Sequence, residues 1–249
     1  MKRDNLYLST IAEDAPSTAR EFGLGLEIAE FCTAWNMDEE FGAVDPVVRQ
    51  RISGIGNRVL HAPYNELFPC AIDRKVRALA AERYRQAIGL AKVYGADKVI
   101  IHGGYNPWLY YHPWYLEQSM VFWREFMQQD PGVELVLENV LEETPDLLLA
   151  IVEGVNHPRL KLCLDVGHVN AYSKIPVETW LERWAPHLSH FHIHNNHGDR
   201  DAHLPLDQGS ISMSDFLRSA QVLCPEASYT LELMETKPSI QFLLEEGIL

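Results

Sequence analysis

Six apolar runs in succession end on a side chain able to bind a metal ion or move a proton. They are Leu60-His61-Ala62-Pro63-Tyr64, Ile101-His102-Gly103-Gly104, Val136-Leu137-Glu138-Asn139, Cys163-Leu164-Asp165-Val166-Gly167-His168, His192-Ile193-His194-Asn195-Asn196 and Leu231-Glu232-Leu233. Asp201-Ala202-His203 falls between the last two. Carboxylates brought together away from water repel unless they are paired or hold a cation. Few Lys or Arg stand near these segments to pair them. If the segments converge, they form a divalent-metal site. Imidazoles mixed with carboxylates suit zinc, manganese or iron better than calcium. No cysteine stands at a matching position for a thiolate site.

Convergence needs a scaffold, and the pattern around these segments supplies one. Short apolar runs alternate with longer helical stretches, which argues for βα units and a parallel sheet. Eight strands are predicted: Leu6–Ser9, Gly25–Ala29, Arg58–His61, Lys98–His102, Glu134–Glu138, Lys161–Asp165, Ser189–His194 and Tyr229–Leu233. Several are apolar on both faces, as in Val99-Ile100-Ile101, which suits strands buried on both sides. The clearest helix runs from Arg74 to Tyr94, with Gly95 as its stop. Thr144-Pro145 reads as a helix N-cap followed by proline, and Ser212 with Asp215 has capping-box spacing. No G-x-G-x-x-G follows the first strand, so a dinucleotide fold gains little support. Eight units in 249 residues predict a single-domain (β/α)8 TIM barrel over residues 1–249, a fold typically of about 250 residues. In that fold the strand C-termini share one pocket, so the six endings above would meet there.

Composition limits the function. Apolar residues make up 47% and charged residues 22% of the chain, as in ordinary globular proteins. The net charge of -14 lacks the basic footprint that nucleic acid needs, so duplex DNA is an unfavoured partner. Four scattered cysteines form no C-x-x-C pair, and the chain reads as cytoplasmic. No run of 18 apolar residues suggests a membrane span.

In this order and spacing the segments resemble the xylose isomerase-like TIM-barrel superfamily. Its branches include sugar isomerases and epimerases and the class II apurinic endonucleases (endonuclease IV). The likeness runs from about His61 to Glu232. The endonuclease branch implies nine ligands for three zinc ions, each with a counterpart here. His61 and His102 would be terminal ligands of one ion, with Glu138 bridging two. Asp165, His194 and Glu232 would hold the second, and His168, Asp201 and His203 the third. The epimerase branch implies one ion held by Glu138, Asp165, His194 and Glu232. The cofactor expected is therefore one to three zinc or manganese ions per chain. His190, His192 and His194 alternate and could share one side of their strand. His194 is preferred because the polar Asn195-Asn196 follows it. Glu235 could replace Glu232 if the last strand runs longer. His197 reads as a loop residue, and His112, His157 and His187 as surface or packing residues.

Two chemistries fit such a site. A sugar isomerase or epimerase would move a proton beside a carbonyl, with Glu138 and Glu232 as the acid/base pair. A phosphoesterase of the endonuclease IV kind would activate water between clustered metals. The substrate is then a small carbohydrate, a sugar phosphate or another phosphoester. The segment Tyr105 to Tyr115 is aromatic and carries no Lys or Arg, which favours the sugar. Tyr64, Trp108 and Tyr110 are candidate walls for it. Xylose isomerase itself has a lysine near the equivalent of Glu138. Asn139-Val140 stands there instead, which disfavours a hydride shift and favours proton transfer.

Overall fold

Side-chain alternation along each strand decides what faces the helices and what faces inward. The computed structural model describes residues Met1–Leu249. Eight strands lie in sequence order: β1 (Leu6–Ser9), β2 (Gly25–Ile28), β3 (Arg58–His61), β4 (Lys98–His102), β5 (Glu134–Glu138), β6 (Leu160–Asp165), β7 (Leu188–Ile193) and β8 (Ser228–Leu231). All pairings are parallel, and β8 pairs back onto β1, closing the barrel. The helices are α1 (Ala15–Phe22), α2 (Ala34–Met37), α3 (Phe41–Ile52), α4 (Arg74–Tyr94), α5 (His112–Phe126), α6 (Asp146–Val155), α7 (Val166–Tyr172), α8 (Val177–Trp184), α9 (Met213–Leu223) and α10 (Lys237–Glu245). None is long and apolar enough to cross a membrane.

One parity of each strand, including Leu26, Leu60, Ile101, Leu137, Leu164, Phe191 and Leu231, joins the main core with the helices. The other parity faces the barrel interior, where Tyr7, Val59, Ile100, Val136 and Cys163 pack together. Two residues on from Val59, Ile100, Val136 and Cys163 stand His61, His102, Glu138 and Asp165. The strand period of two therefore lifts the ligand-type residues directly above an apolar plug.

The expected eight strands and helix Arg74–Tyr94 form. Asp73 caps that helix, accepting from the Lys75 N–H at 2.8 Å, and Gly95 ends it in the left-handed region at φ 69°. Some ends differ. β7 stops at Ile193, leaving His194 beyond the strand, and β8 stops at Leu231, just before Glu232. Thr144 does not cap α6, whose N-cap residue is Pro145. Ser212 donates to the Asp215 carboxylate at 2.6 Å instead of capping the backbone of α9.

Glu142 anchors the connection from β5 to α6 beneath the barrel mouth. It is buried and accepts from the Val140 N–H at 2.7 Å. The Tyr115 hydroxyl lies 3.4 Å from its other oxygen and donates to the Gly103 carbonyl at 2.9 Å. A Cβ on Gly103 would come within 2.6 Å of Glu142 Oε1, so only glycine fits. Burial pushes the Glu142 carboxyl up to about 7 from an ordinary value of 4.5. Its stabilising contribution is complete below the ordinary value and is lost as pH rises through about 7. Glu142→Gln, which mimics the neutral acid, is expected to raise the melting temperature relative to the parent, with a gain that grows from about pH 5 to about pH 8. A pH-independent difference in thermal denaturation would count against a neutral, buried Glu142.

Candidate metal centre

Strand register sets the depth of each ligand-type side chain. His102 pairs in register with Glu138, and Asp165 with His192. Glu138 stands at the centre. Its Oε2 lies 3.3 Å from His61 Nε2 and 3.6 Å from His102 Nε2. Its Oε1 lies 3.3 Å from His192 Nδ1 and 3.5 Å from His168 Nδ1. Asn139 fixes the neighbouring strand end, donating to the Asp165 carbonyl at 3.0 Å and accepting from the Asp165 N–H at 2.9 Å. The Asp165 side chain caps α7 by accepting from the His168 N–H at 2.7 Å.

His192, rather than the preferred His194, is the histidine that stands beside both Glu138 and Glu232. Its Nδ1 lies 3.3 Å from Glu138, 3.5 Å from Glu232 and 3.8 Å from Asp165. His194 lies past the strand end. It faces Asp165 at 3.1 Å and Asp201 at 3.6 Å, and stacks on His203 with centroids 4.0 Å apart. Its ring fills the space beside Gly167, where a Cβ would stand 1.9 Å from the imidazole. The three alternating histidines share a side, but only the register with β6 decides which one stands level with Asp165.

Glu27 is the partner that orients His192. Fully buried on β2, it accepts from His192 Nε2 at 3.1 Å and from the Thr230 hydroxyl at 2.8 Å. His190 lies 2.9 Å from Thr230 Oγ1 and 3.6 Å from Glu27. A carboxylate on Nε2 keeps the proton of the neutral ring there, so that Nδ1 is the atom that would offer its lone pair to a cation at the centre.

The third group also comes together. Asp201 lies 3.2 Å from His168 Nε2 and 2.9 Å from His203 Nε2, while His203 Nδ1 meets the Glu232 carbonyl at 2.7 Å. Cys32, left out of the site on sequence grounds, lies against His61. Of the candidate walls, Tyr64 stacks on His102 with centroids 4.4 Å apart. Tyr110 instead packs on Phe68 in a separate groove, and Trp108 is 81% exposed with no ring contact to the histidines. Tyr172, not singled out in the sequence, lies 6.1 Å from His168. Glu235 and His197 are exposed, and His112 and His187 pair with Glu143 and Glu153 away from the centre.

The charges explain what the set demands. Burial alone would push the Glu138 carboxyl up, but His192, His102 and His61 hold it well below the carboxylate range. Burial likewise opposes ionisation of Asp165, and His168 and His194 lower it. Burial disfavours a charged His168, yet Asp165, Asp201 and Glu138 raise it to about 10. His203 rises to about 9 against burial, chiefly through Asp201. Burial prevails at His102, which falls to about 3. Protons on histidine thus supply the positive charge that the carboxylates require. Glu138 Oε2, His192 Nδ1, His194 Nδ1 and Asp201 Oδ1 are buried without a hydrogen-bond partner. Donor atoms converge in several groups, among them His61–His102–Glu138, Glu138–Asp165–His168 and His194–Asp201–His203. Buried nitrogen and oxygen atoms left without partners in such groups fit divalent cations.

Known proteins place the chain in context. The TTHB071 protein from Thermus thermophilus, in a structure soaked with ZnCl2, superposes with a TM-score of 0.79 at 25% identity over 98% of each chain. A D-tagatose 3-epimerase-like protein shares the fold, with a TM-score of 0.77 at 24% identity over 98% of this chain and 97% of that one. The uncharacterized protein MJ1311 of Methanocaldococcus jannaschii is 29% identical over 195 residues, or 74% of this chain. That match spans 66% of the relative's length, just under two thirds. The family described as the xylose isomerase-like TIM barrel matches residues 24–222, from β2 through β7 and most of α9, and the chain belongs to that family.

Proposed function

We propose that the chain is a divalent-metal-dependent sugar isomerase or epimerase acting by proton transfer beside a carbonyl. The observation that carries this reading is the buried, unpartnered His192 Nδ1, ringed by Glu138, Glu232 and Asp165 at 3.3–3.8 Å. Likeness in fold to a D-tagatose 3-epimerase-like protein supports the reaction class, and the zinc-soaked relative supports the metal. A zinc or manganese ion bound by these four residues would polarise the carbonyl and neighbouring hydroxyl of a sugar.

The remaining work falls to the side chains. Glu138 and Glu232 reach the same imidazole nitrogen from strand ends three apart around the barrel. A carbon held between them loses a proton to one carboxylate and regains one from the other. The electron pair of the broken C–H bond moves onto the adjacent carbonyl oxygen and returns as the new C–H bond forms. The histidines around Glu138 keep it ionised, as a base must be. Glu27 holds His192 in one tautomer, and Tyr64 and Tyr172 flank the entrance.

A second reading, multi-zinc phosphoester hydrolysis, is favoured by the convergence of the outer groups His61–His102–Glu138 and His194–Asp201–His203. Elemental analysis separates the two: about one ion per chain supports the isomerase, and close to three zinc ions support the hydrolase. The same measurement tests the central site, because His192→Ala is expected to lose the central ion and His194→Ala to keep it. The reverse would overturn the His192 assignment. Glu27→Gln is expected to weaken metal binding by about 10- to 100-fold in competition with a chelator. Unchanged affinity would remove its orienting role. Glu138→Gln and Glu232→Gln are each expected to slow exchange of the substrate's carbon-bound proton by about 100- to 10,000-fold while the protein stays folded. Full exchange by either variant would exclude that carboxylate as acid or base.

A further inference from the structure

Every exposed tryptophan or tyrosine lies at the end of the barrel that carries the metal-binding side chains. They are Trp35 after β2, Tyr64 after β3, Trp108 and Tyr111 after β4, and Tyr172 at the end of α7 after β6. Trp108 and Tyr111 are more than 80% exposed, and no phenylalanine is exposed anywhere. On the flanks of the barrel the exposed large apolar residues are aliphatic, such as Val47, Val93 and Val222. Exposed indole and phenol rings present flat faces for stacking.

Two of these residues border the pocket. Tyr64 lies face to face with His102, with centroids 4.4 Å apart and planes at 12°, and Tyr172 lies 6.1 Å from His168. The charge of the rim narrows its chemistry. Between the end of each strand and the long helix that follows, counting α2 and α7 with the connections, Lys174 and Arg200 are the only lysine or arginine residues. Carboxylates are numerous there, including Glu30, Glu39, Glu66, Glu143, Asp199 and Glu235. A phosphate group or a nucleic-acid backbone is commonly held by arginine or lysine, and this face offers few of them. A neutral sugar ring, which offers a C–H face to an aromatic plane, has no need of them.

We propose that the substrate is an uncharged glycoside: a ketose whose carbonyl end enters the metal pocket while a glycosyl group at its far end stacks on the aromatic rim. This inference rests on the sugar isomerase reading. It replaces a sugar phosphate with a neutral, extended substrate.

Calorimetric titration of the metal-loaded protein tests it with three probes: fructose, fructose 6-phosphate and isomaltulose, which is fructose carrying a glucosyl group on its 6-hydroxyl. Isomaltulose is expected to bind about ten-fold or more tightly than either of the others. The double substitution Trp108→Ala with Tyr111→Ala is expected to erase that advantage while leaving fructose affinity unchanged. Tighter binding of the phosphate, equal binding of the two neutral sugars, or an advantage that survives the substitution overturns the proposal. So does a change in oligomeric state of the double variant on ultracentrifugation without loss of the advantage, which would make the rim a subunit contact. Binding is read without turnover. A protein that prefers isomaltulose but never exchanges a carbon-bound proton in heavy water would keep this inference and lose the isomerase reading.

Discussion

Glu27, Glu138 and Asp165 are almost completely buried, and their ion-pair partners are all histidines. A carboxylate taken out of water without compensation costs several kcal/mol, so the barrel can close over these groups only if positive charge comes with them. Four of the histidines, His61, His168, His192 and His203, carry it by holding protons well above their ordinary range. A divalent cation offers the same charge in a smaller volume, and it displaces those protons when it binds. The buried carboxylates therefore call for positive charge before any question of reaction arises.

The same constraint organises the layers beneath. An apolar plug of Tyr7, Val59, Ile100, Val136 and Cys163 fills one side of the barrel interior. On the side of β7, β8 and β2 the interior is polar, running from Ser228 through His190 and Thr230 to Glu27 and His192. A polar column in a barrel core is tolerable because its members find partners within 3.1 Å. It carries orientation to the one imidazole whose Nδ1 faces three carboxylates. Above the centre the mouth changes character, from charged donors to aromatic rings and carboxylates with very few cations. The interior thus suits a cation, and the rim around it carries few lysines or arginines.

Much of this was legible in the sequence. The barrel followed from eight apolar runs separated by helical stretches, because strands buried on both faces must read that way. The candidate ligands followed from position, since His61, His102, Glu138 and Asp165 each end a run. The group His168, Asp201 and His203 was also anticipated and does converge. The misreadings lie where local pattern carries no depth. Tyr110 looked like a pocket wall by composition, but its loop turns it onto Phe68. Tyr172 gave no signal because it ends a helix whose direction the sequence does not state.

The sequence by itself determined the fold class and the inward parity of the strands, because a period of two and a buried core impose them on any chain with this pattern, and it marked most of the side chains that converge. Only the tertiary structure decided which of three alternating histidines faces the carboxylates, and that Glu27, more than 160 residues away in the chain, orients it. Those choices depend on the register between neighbouring strands and on the closure of β8 against β1. Both are set by packing around the whole barrel, which no local segment encodes.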